Sequence, residues 1–256
     1  MAAAPAAQEL HAAPGWRTIE FISDLHLHAG EPATFAAWRT YMAGAQASAM
    51  FILGDLFEAW VGDDAALEPG FAADCAAVLQ STARRLPVFF LHGNRDFLVG
   101  DGLLGAAGVT LLQDPTVLGF GGRRWLLSHG DLLCLADTDY LAFRATVREP
   151  AWQRAFLARP LAERRRIAQD LRARSDALKR EDGVCADVDT QAAIAWLQAA
   201  DAAVLIHGHT HRPGETVLGP GRRRIVLSDW DAAADPPRLE VLRIDLQGGV
   251  QRVALA

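Results

Sequence analysis

Five short apolar runs in this sequence each stop at a cluster of Asp, Asn or His residues, and this recurrence constrains the fold more than any other feature. The runs cover residues 18–22, 50–53, 87–91, 125–127 and 202–206. Each has the length and the apolar content of a buried strand. Ligands and catalytic groups in open α/β sheets collect beyond the C-terminal ends of the strands, so we expect the five clusters to meet in one place.

The segments between these strands predict an α/β (α+β) fold. Apolar spacing indicates helices at about 32–45 and 71–85, which can serve as crossovers between strands. Residues 109–127 are instead typical of paired strands, and residues 224–255 contain three more short runs that close the fold. We expect a mixed sheet, and more specifically two sheets packed as a sandwich with helices outside, a four-layer αββα arrangement.

One domain is expected over residues 17–256, preceded by an extension. Residues 1–16 are rich in alanine but lack the basic start and continuous apolar core of a signal peptide, so we predict that they are disordered. No apolar run approaches the roughly 20 residues that span a bilayer, which predicts a protein that is soluble or sits on a membrane surface. Cys75, Cys134 and Cys185 form no CxxC motif, which favours a reducing compartment and a packing role.

Charge is distributed unevenly along the chain. The formal net charge of −6 gives no support for nucleic-acid binding, because affinity for a phosphate backbone needs a basic surface. Residues 144–180, however, carry eleven Lys or Arg against four Asp or Glu. They belong to a helical insertion over about 137–180 that is also rich in large apolar side chains. The insertion can have an ordinary solvated face or be a lid that meets an anionic, lipid-like ligand, and the residues alone leave both open.

Seven side chains in the five clusters are suited to bind metal ions. They are Asp24, His26, Asp55, Asn94, His129, His209 and His211. Carboxylate, amide oxygen and imidazole together suit ions such as Mn²⁺, Fe²⁺ or Zn²⁺. Residues of equal parity on an extended segment point the same way, so Asp24 can face the site with His26, and His209 with His211.

Seven protein ligands are too many for one ion of this kind. Two ions about 3.5–4 Å apart fit the count and the two-metal mode of phosphoester hydrolysis, and we predict that Asp55 bridges them. Any single member of the set could instead be a helix cap, a turn residue or a core histidine. It is much harder to explain all five clusters as caps, turn residues or core histidines.

The same residues resemble a known superfamily. Asp24-x-His26, Gly54-Asp55, Gly93-Asn94, His129 and Gly208-His209-x-His211 are similar to the five blocks of the calcineurin-like metallophosphoesterases. Longer runs resemble the UDP-2,3-diacylglucosamine diphosphatase family of the lipid A pathway in Gram-negative bacteria. These runs are SDLHL (23–27), LGDLFEAWVGDD (53–64), HGNRDFL (92–98), SHGD (128–131), YLAFR (140–144) and HGHTHRP (207–213). The resemblance covers roughly residues 17–230.

Several expectations follow from the resemblance. It implies two manganese ions, one held by Asp24, His26, Asp55 and His211 and the other by Asp55, Asn94, His129 and His209. It implies hydrolysis of the pyrophosphate bond of UDP-2,3-diacylglucosamine by attack of metal-activated water on the α-phosphorus, giving UMP and 2,3-diacylglucosamine 1-phosphate. The implied location is the cytoplasmic face of the inner membrane, as a peripheral protein, and no protein partner is expected. The implied substrate contacts are Asn94, Arg95, Asp137, Arg172, Ser175 and His209. Beyond Ser175 the chain departs from the family's asparagine and lysine, and Lys179 and Arg180 could supply the cation from a shifted position.

Arg95 bears on the type of bond that is cleaved. Many superfamily members have a histidine here, which can protonate an alkoxide leaving group, whereas arginine is always charged and cannot act as a general acid. A phosphate leaving group needs no such proton, and Arg95 can bind its oxygens bidentately, which favours a phosphoanhydride over a phosphodiester. Arg95 could instead cap the following helix or pair with Asp96.

Other functions stay open at this point. A related dimetal phosphodiesterase or pyrophosphatase could act on another nucleotide substrate, although a small nucleotide does not need a large amphipathic lid. A binding scaffold that has lost catalysis is disfavoured because all seven ligand positions hold suitable residues. A nuclease is disfavoured by the acidic net charge.

Overall fold

The computed structural model describes residues 4–172 and 186–255, together with the backbone of residues 173–182. The strands are β1 (Gln8–His11), β2 (Thr18–Ile22), β3 (Ala49–Ile52), β4 (Val88–Leu91), β5 (Thr110–Leu112), β6 (Thr116–Phe120), β7 (Arg123–Leu127), β8 (Val204–His207), β9 (Gly214–Gly219), β10 (Arg222–Val226), β11 (Glu240–Asp245) and β12 (Val250–Ala254). The helices are α1 (Pro32–Gly44), α2 (Phe71–Ala83), α3 (Asp101–Ala107), α4 (Thr138–Val147), α5 (Pro150–Leu157), α6 (Leu161–Asp182) and α7 (Thr190–Ala199). Short 3₁₀ helices lie at Asp63–Ala66 and Asp131–Leu133.

The strands form two mixed six-stranded sheets. The first has the order β12-β11-β2-β3-β4-β5 and the second the order β1-β6-β7-β8-β10-β9. Strands β2 to β5 are parallel to one another, as are β7, β8 and β10. Five of these parallel strands, β2, β3, β4, β7 and β8, are followed by the predicted metal ligands, so the two central groups of strands position the site.

Side chains on the central strands alternate between the two faces of each sheet, and this alternation gives the fold its layers of helices and sheets. Phe51 and Leu53 pack between the sheets against side chains of the second sheet such as Trp125. Met50 and Ile52 point the other way and pack with residues of α1 and α2. On the far side, α7 packs against the second sheet. The predicted αββα sandwich is therefore confirmed, and apolar burial on both faces explains why these strands are almost wholly apolar.

The N-terminal residues depart from the prediction. Residues 1–16 were expected to be disordered, but Gln8–His11 forms a parallel edge strand on β6, so the expectation is wrong for this segment. The Gln8 side chain accepts a hydrogen bond from the amide of Gln113, and Leu10 packs against the core between the sheets. Glu9 forms an ion pair with Arg124 at 2.8 Å. Pairing with an available sheet edge thus orders a segment whose composition predicts disorder.

The insertion forms α4, α5 and α6. Trp152 and Phe156 of α5 stack on each other and pack, with Ile167 of α6, against the helical side of the first sheet. Arg164, which is 2% exposed, reaches from α6 to the Val61 carbonyl and the Asp64 carboxylate. Among the helices that the structure describes, none combines the length and apolar character that crossing a bilayer requires.

Candidate metal centre

The loops that carry the predicted ligands have unusual backbone conformations. Asp24, His26, Asp55, His209 and His211 all have left-handed φ angles, between 49° and 65°. The extended geometry assumed for Asp24 with His26 and for His209 with His211 is therefore wrong, although their side chains do converge. Left-handed non-glycine residues cost about 1–3 kcal/mol each and persist only where surrounding contacts enforce them.

Glycines before the ligands permit these loops to approach one another. Gly54 has φ +89°, and a Cβ on it would lie 2.5 Å from the amide nitrogen of Gly93. A Cβ on Gly208 would lie 2.2 Å from Oδ2 of Asp24. The Gly-Asp, Gly-Asn and Gly-His pairs of the sequence thus mark places where two ligand loops touch.

One group of ligands contains Asp24, His26 and His211. The Nε2 atoms of the two imidazoles are 3.1 Å apart, and Nε2 of His211 lies 3.5 Å from Oδ1 of Asp24. Asp24 is fully buried and accepts hydrogen bonds from the Ser23 hydroxyl at 2.6 Å and from the His209 amide. These contacts hold its carboxylate in one orientation.

The second group contains Asn94, His129 and His209. Oδ1 of Asn94 lies 2.9 Å from Nε2 of His129 and 2.9 Å from Nδ1 of His209. The other ring nitrogen of His129 donates to the Leu53 carbonyl at 2.9 Å. That bond fixes which nitrogen of His129 faces the centre.

Asp55 lies between the two groups. Its Oδ1 is 3.8 Å from Nε2 of His129, and its Oδ2 is 4.0 Å from Nε2 of His26. The Arg95 amide donates to Oδ1 at 2.8 Å, which orients the carboxylate. Candidate sets with ligand atoms within 4.8 Å of one another are Asp24-His26-His211 and Asp24-Asp55-His129.

The donor atoms fit divalent metal ions. Nδ1 of His129 donates to the Leu53 carbonyl, so Nε2 is the ring nitrogen that faces the amide oxygen of Asn94. The mixture of carboxylate, amide oxygen and imidazole suits borderline ions such as Mn²⁺, Fe²⁺ and Zn²⁺.

The buried carboxylates also make the electrostatic potential of the centre negative, as in a site that binds cations. Burial alone would lower the pKa of His129, but the carboxylates of Asp55, Asp24 and Asp131 raise it to about 9. Burial and the neighbouring His129 lower the pKa of His209 to about 4. The buried carboxylates therefore attract positive charge while part of the imidazole set stays neutral, as metal binding requires.

Arg95 and Arg172, two predicted substrate contacts, lie together at Glu58. Nη1 of Arg95 is 3.4 Å from Oε1 of Glu58, and Nε of Arg172 is 3.1 Å from the same oxygen. Arg95 therefore pairs with neither Asp96 nor a helix end. Burial would raise the pKa of Glu58, but His26, Arg95 and Arg172 together lower it, so the carboxylate is ionised near neutral pH.

For the other predicted substrate contacts, the structure shows no contact with the metal ligands among the side chains that it describes. Asp137 is an exposed N-cap of α4, where its side chain accepts from the Tyr140 amide at 3.1 Å. The side chains of Ser175 and Lys179 lie outside the described residues, as does Cys185. Cys75 and Cys134 are buried, and burial raises the pKa of each thiol to about 12, in agreement with a packing role.

Sequence reasoning missed several supporting residues. Asp96 is fully buried and accepts from the amides of Leu56 and Gly93, each at 2.8 Å, so it joins two ligand loops. Burial, with the nearby Asp55 charge, raises the pKa of Asp96 to about 7. Asp131 contacts Arg144 at 2.6 Å and the Tyr140 hydroxyl, which attaches α4 to the His129 loop. A lone charge inside the apolar run 56–60 was the signal that could have identified Glu58.

A cavity of about 370 Å³ adjoins the centre, between the first sheet's loops and α6. Its walls are mainly apolar, with Glu58 and Arg172 at the end that faces the metal ligands. Residues that line it include Leu27, Phe57, Trp60, Val61, Phe71, Ala168 and Arg172. Trp60 is 5% exposed and donates to Asp63 at 3.0 Å, so it belongs both to the core and to the cavity wall.

Two adjoining sets of carboxylate and imidazole groups at the strand ends of a two-sheet sandwich define a metal-dependent phosphoesterase. The family model for calcineurin-like phosphoesterases matches residues 18–213. UDP-2,3-diacylglucosamine hydrolase of Chromobacterium violaceum is 47% identical over 221 residues, covering 83% of this chain and 90% of that protein. The protein of the same name from Xanthomonas campestris pv. campestris is 44% identical over 256 residues, covering 93% of this chain and all of the relative. The chain therefore belongs to the calcineurin-like phosphoesterases and, within them, to the UDP-2,3-diacylglucosamine hydrolase family.

Proposed function

We propose that this protein hydrolyses the pyrophosphate bond of UDP-2,3-diacylglucosamine by attack of activated water on the α-phosphorus. The products are UMP and 2,3-diacylglucosamine 1-phosphate, in the pathway that makes lipid A. The observation that carries the proposal is that all seven predicted ligands meet beside an apolar cavity roofed by α6. A dimetal centre suits phosphoryl chemistry, and the cavity suits acyl chains.

The residues divide into two proposed ion sites. Asp24, His26, Asp55 and His211 would hold one ion, and Asp55, Asn94, His129 and His209 the other, with manganese as the proposed metal. When bound, the ions lower the pKa of a water molecule and offset charge on the phosphoryl oxygens. Asp55 is proposed as the bridging ligand because its two oxygens face different histidines, whereas both oxygens of Asp24 already accept hydrogen bonds.

Arg95 is proposed to bind the phosphoryl group and stabilise the charge of the transition state. Its amide is fixed by Asp55 at 2.8 Å, and its guanidinium lies on the cavity side of the centre, on Glu58. A permanent cation there stabilises a departing phosphate and gives no proton to an alkoxide. Asn94 and His209 would contact the same phosphoryl oxygens, and Asp137, Arg172, Ser175 and Lys179 stay proposed substrate contacts.

The insertion is proposed to bind the acyl chains and to meet the membrane. Phe143, Leu157 and Leu171 are large apolar side chains that are 37–41% exposed on this insertion. The Arg165 side chain, also in the insertion, is half exposed. Exposed apolar groups with a basic helix suit the surface of an anionic bilayer, so we propose peripheral attachment at the cytoplasmic face of the inner membrane. Cosedimentation with anionic vesicles but not with zwitterionic ones is the expected result.

The decisive experiment is hydrolysis in H₂¹⁸O after metal removal and separate restoration of Mn²⁺, Mg²⁺ or Zn²⁺. We expect no turnover without metal, highest turnover with Mn²⁺, and ¹⁸O in UMP, because the attacked phosphorus stays with the uridine. Isotope in the sugar phosphate would contradict attack at the α-phosphorus. Equal rates on a plain UDP-sugar and on the diacylated compound would favour a general nucleotide pyrophosphatase.

Arg95→Ala tests whether Arg95 stabilises the phosphate leaving group or only contributes to substrate binding. We expect the variant to lose about 10²–10³-fold in kcat on the UDP-lipid, the range found when one donor to a transition-state oxyanion is removed. Loss on bis(p-nitrophenyl) phosphate should be much smaller, since that leaving group needs no guanidinium. Equal losses on both substrates would contradict the assigned role.

A further inference from the structure

Glu58 is a carboxylate that none of the metal assignments uses. It lies in the apolar run 56–60 and its side chain is only 11% exposed. Its amide donates to the Leu27 carbonyl at 3.2 Å, and Phe57 forms a β-bridge with Leu27. Its backbone is therefore attached directly to the loop that carries His26.

The two carboxylate oxygens of Glu58 face different partners. Oε2 lies 3.2 Å from Nδ1 of His26, the ring nitrogen that points away from the metal ligands, within ion-pair distance although not at the angle of a hydrogen bond. Oε1 lies within 3.4 Å of Arg95 and 3.1 Å of Arg172. One buried anion thus contacts a metal ligand, the residue beside the phosphoryl group and the helical insertion.

Both contacts have a physical consequence for the site. A carboxylate beside the outer nitrogen of a metal-binding histidine favours the tautomer that carries its proton on that nitrogen and raises the basicity of the ring. Two guanidinium groups close together repel each other unless an anion lies between them. Without Glu58, the guanidinium groups of Arg95 and Arg172 would repel each other and move apart.

We propose that Glu58 is a positioning residue that couples the two halves of the site. Oε2 orients His26 for the ion, and Oε1 holds Arg95 and Arg172 together where the substrate phosphates bind. The inference rests on the proposed function, because it assigns Arg95 and Arg172 to the phosphates of that substrate. The position of α6 beside the cavity and the geometry of the His26 ligand then depend on the same carboxylate.

Two substitutions separate the halves of this role. Glu58→Ala removes both oxygens and should weaken Mn²⁺ binding about 10–100-fold in calorimetric titration. Glu58→Gln can keep its amide oxygen on His26, so Mn²⁺ affinity should change only a few-fold. Its NH₂ group then faces the arginines, and KM for the UDP-lipid should rise about tenfold, while KM for bis(p-nitrophenyl) phosphate stays near the wild-type value.

Glu163→Gln is the matched control, because Glu163 pairs with Arg159 at 2.8 Å on the exposed side of α6 and should leave both quantities unchanged. Wild-type-like Mn²⁺ affinity in Glu58→Ala, or a wild-type KM for the lipid in Glu58→Gln, would overturn the inference. Absence of lipid hydrolysis by the wild-type protein would instead overturn the proposed function. Should Glu58→Ala fail to fold, the nearly isosteric Glu58→Gln still decides the KM half. Glu58→Asp then decides the metal half, because its shorter side chain should weaken Mn²⁺ binding relative to the wild type, and unchanged affinity would overturn the inference.

Discussion

The metal centre and the helical insertion are attached to the fold in different ways. The ligands follow buried parallel strands, and their left-handed backbones are fixed by neighbouring loops such as Gly54 against Gly93. The insertion packs through Trp152 and Phe156 and is joined to the core by arginine contacts, among them Arg164 with Asp64. The difference indicates that reaction chemistry and substrate preference depend mainly on different parts of the chain, which meet at contacts such as Glu58 with Arg172.

The strongest way to break this comparison is to alter the bridging ligand. Asp55→Asn keeps an oxygen for the Arg95 amide but removes the charge between the two groups. Because metal ions contribute several kcal/mol to the transition state, we expect a loss of at least about 10³-fold on both the UDP-lipid and bis(p-nitrophenyl) phosphate. Thermal unfolding should stay near that of the wild type, and Asp74→Asn on the exposed side of α2 is the control. A loss restricted to the lipid would show that the two regions are not separate.

A smaller effect is expected from the contact between ligand loops. Gly54→Ala places a Cβ 2.5 Å from the Gly93 amide at a φ of +89°, so the Asn94 loop must move. Displacement of about 1 Å costs on the order of 10²-fold in rate, and we expect this loss on both substrates. The matched control is Gly105→Ala in α3, where a Cβ meets nothing within 4 Å and a small gain in stability is expected. Wild-type rates in Gly54→Ala would mean that the loops tolerate separation.

The smallest effect should come from the attachment of the insertion. Arg164→Ala leaves the Val61 carbonyl without its donor and removes the ion pair with Asp64, which we expect to loosen α6. Hydrogen exchange of α6 should accelerate and KM for the UDP-lipid should rise about tenfold, with little change on bis(p-nitrophenyl) phosphate. The exposed neighbour Arg166, changed to Ala, serves as control. Equal effects on both substrates would place the insertion within the reaction chemistry.

The sequence predicted the strands and the meeting of the ligands because both depend on a simple pattern. A buried strand must be apolar, and a polar cluster at its end has to lie at the edge of the sheet. The prediction failed on how the side chains converge, since the φ angles of Asp24 and His209 are imposed by contacts with distant loops. The glycines before the ligands indicate that another loop can come close at these positions. They do not indicate which loop it is or where the side chains point.

Supporting contacts were harder to predict for the same reason. Glu58 lies in a loop, outside any regular strand or helix, so the periodicity of the sequence does not predict the direction of its side chain. Asp96 accepts hydrogen bonds from backbone amides of the Asp55 and Gly93 loops. Every residue except proline has such an amide, so the sequence does not reveal these partners. Hydrophobic patterning describes which side chains are buried, whereas these residues are placed largely by partners distant in sequence, such as Leu56 for Asp96, 40 positions away.

Strand β1 has a consequence for how the protein behaves when shortened. It covers one edge of the second sheet by pairing with β6, and Glu9 with Arg124 holds it there. Deleting the alanine-rich N-terminal residues would uncover the backbone amides and carbonyls of β6. Uncovered edges recruit strands from other molecules, so such a truncated protein should self-associate even though its catalytic centre is intact.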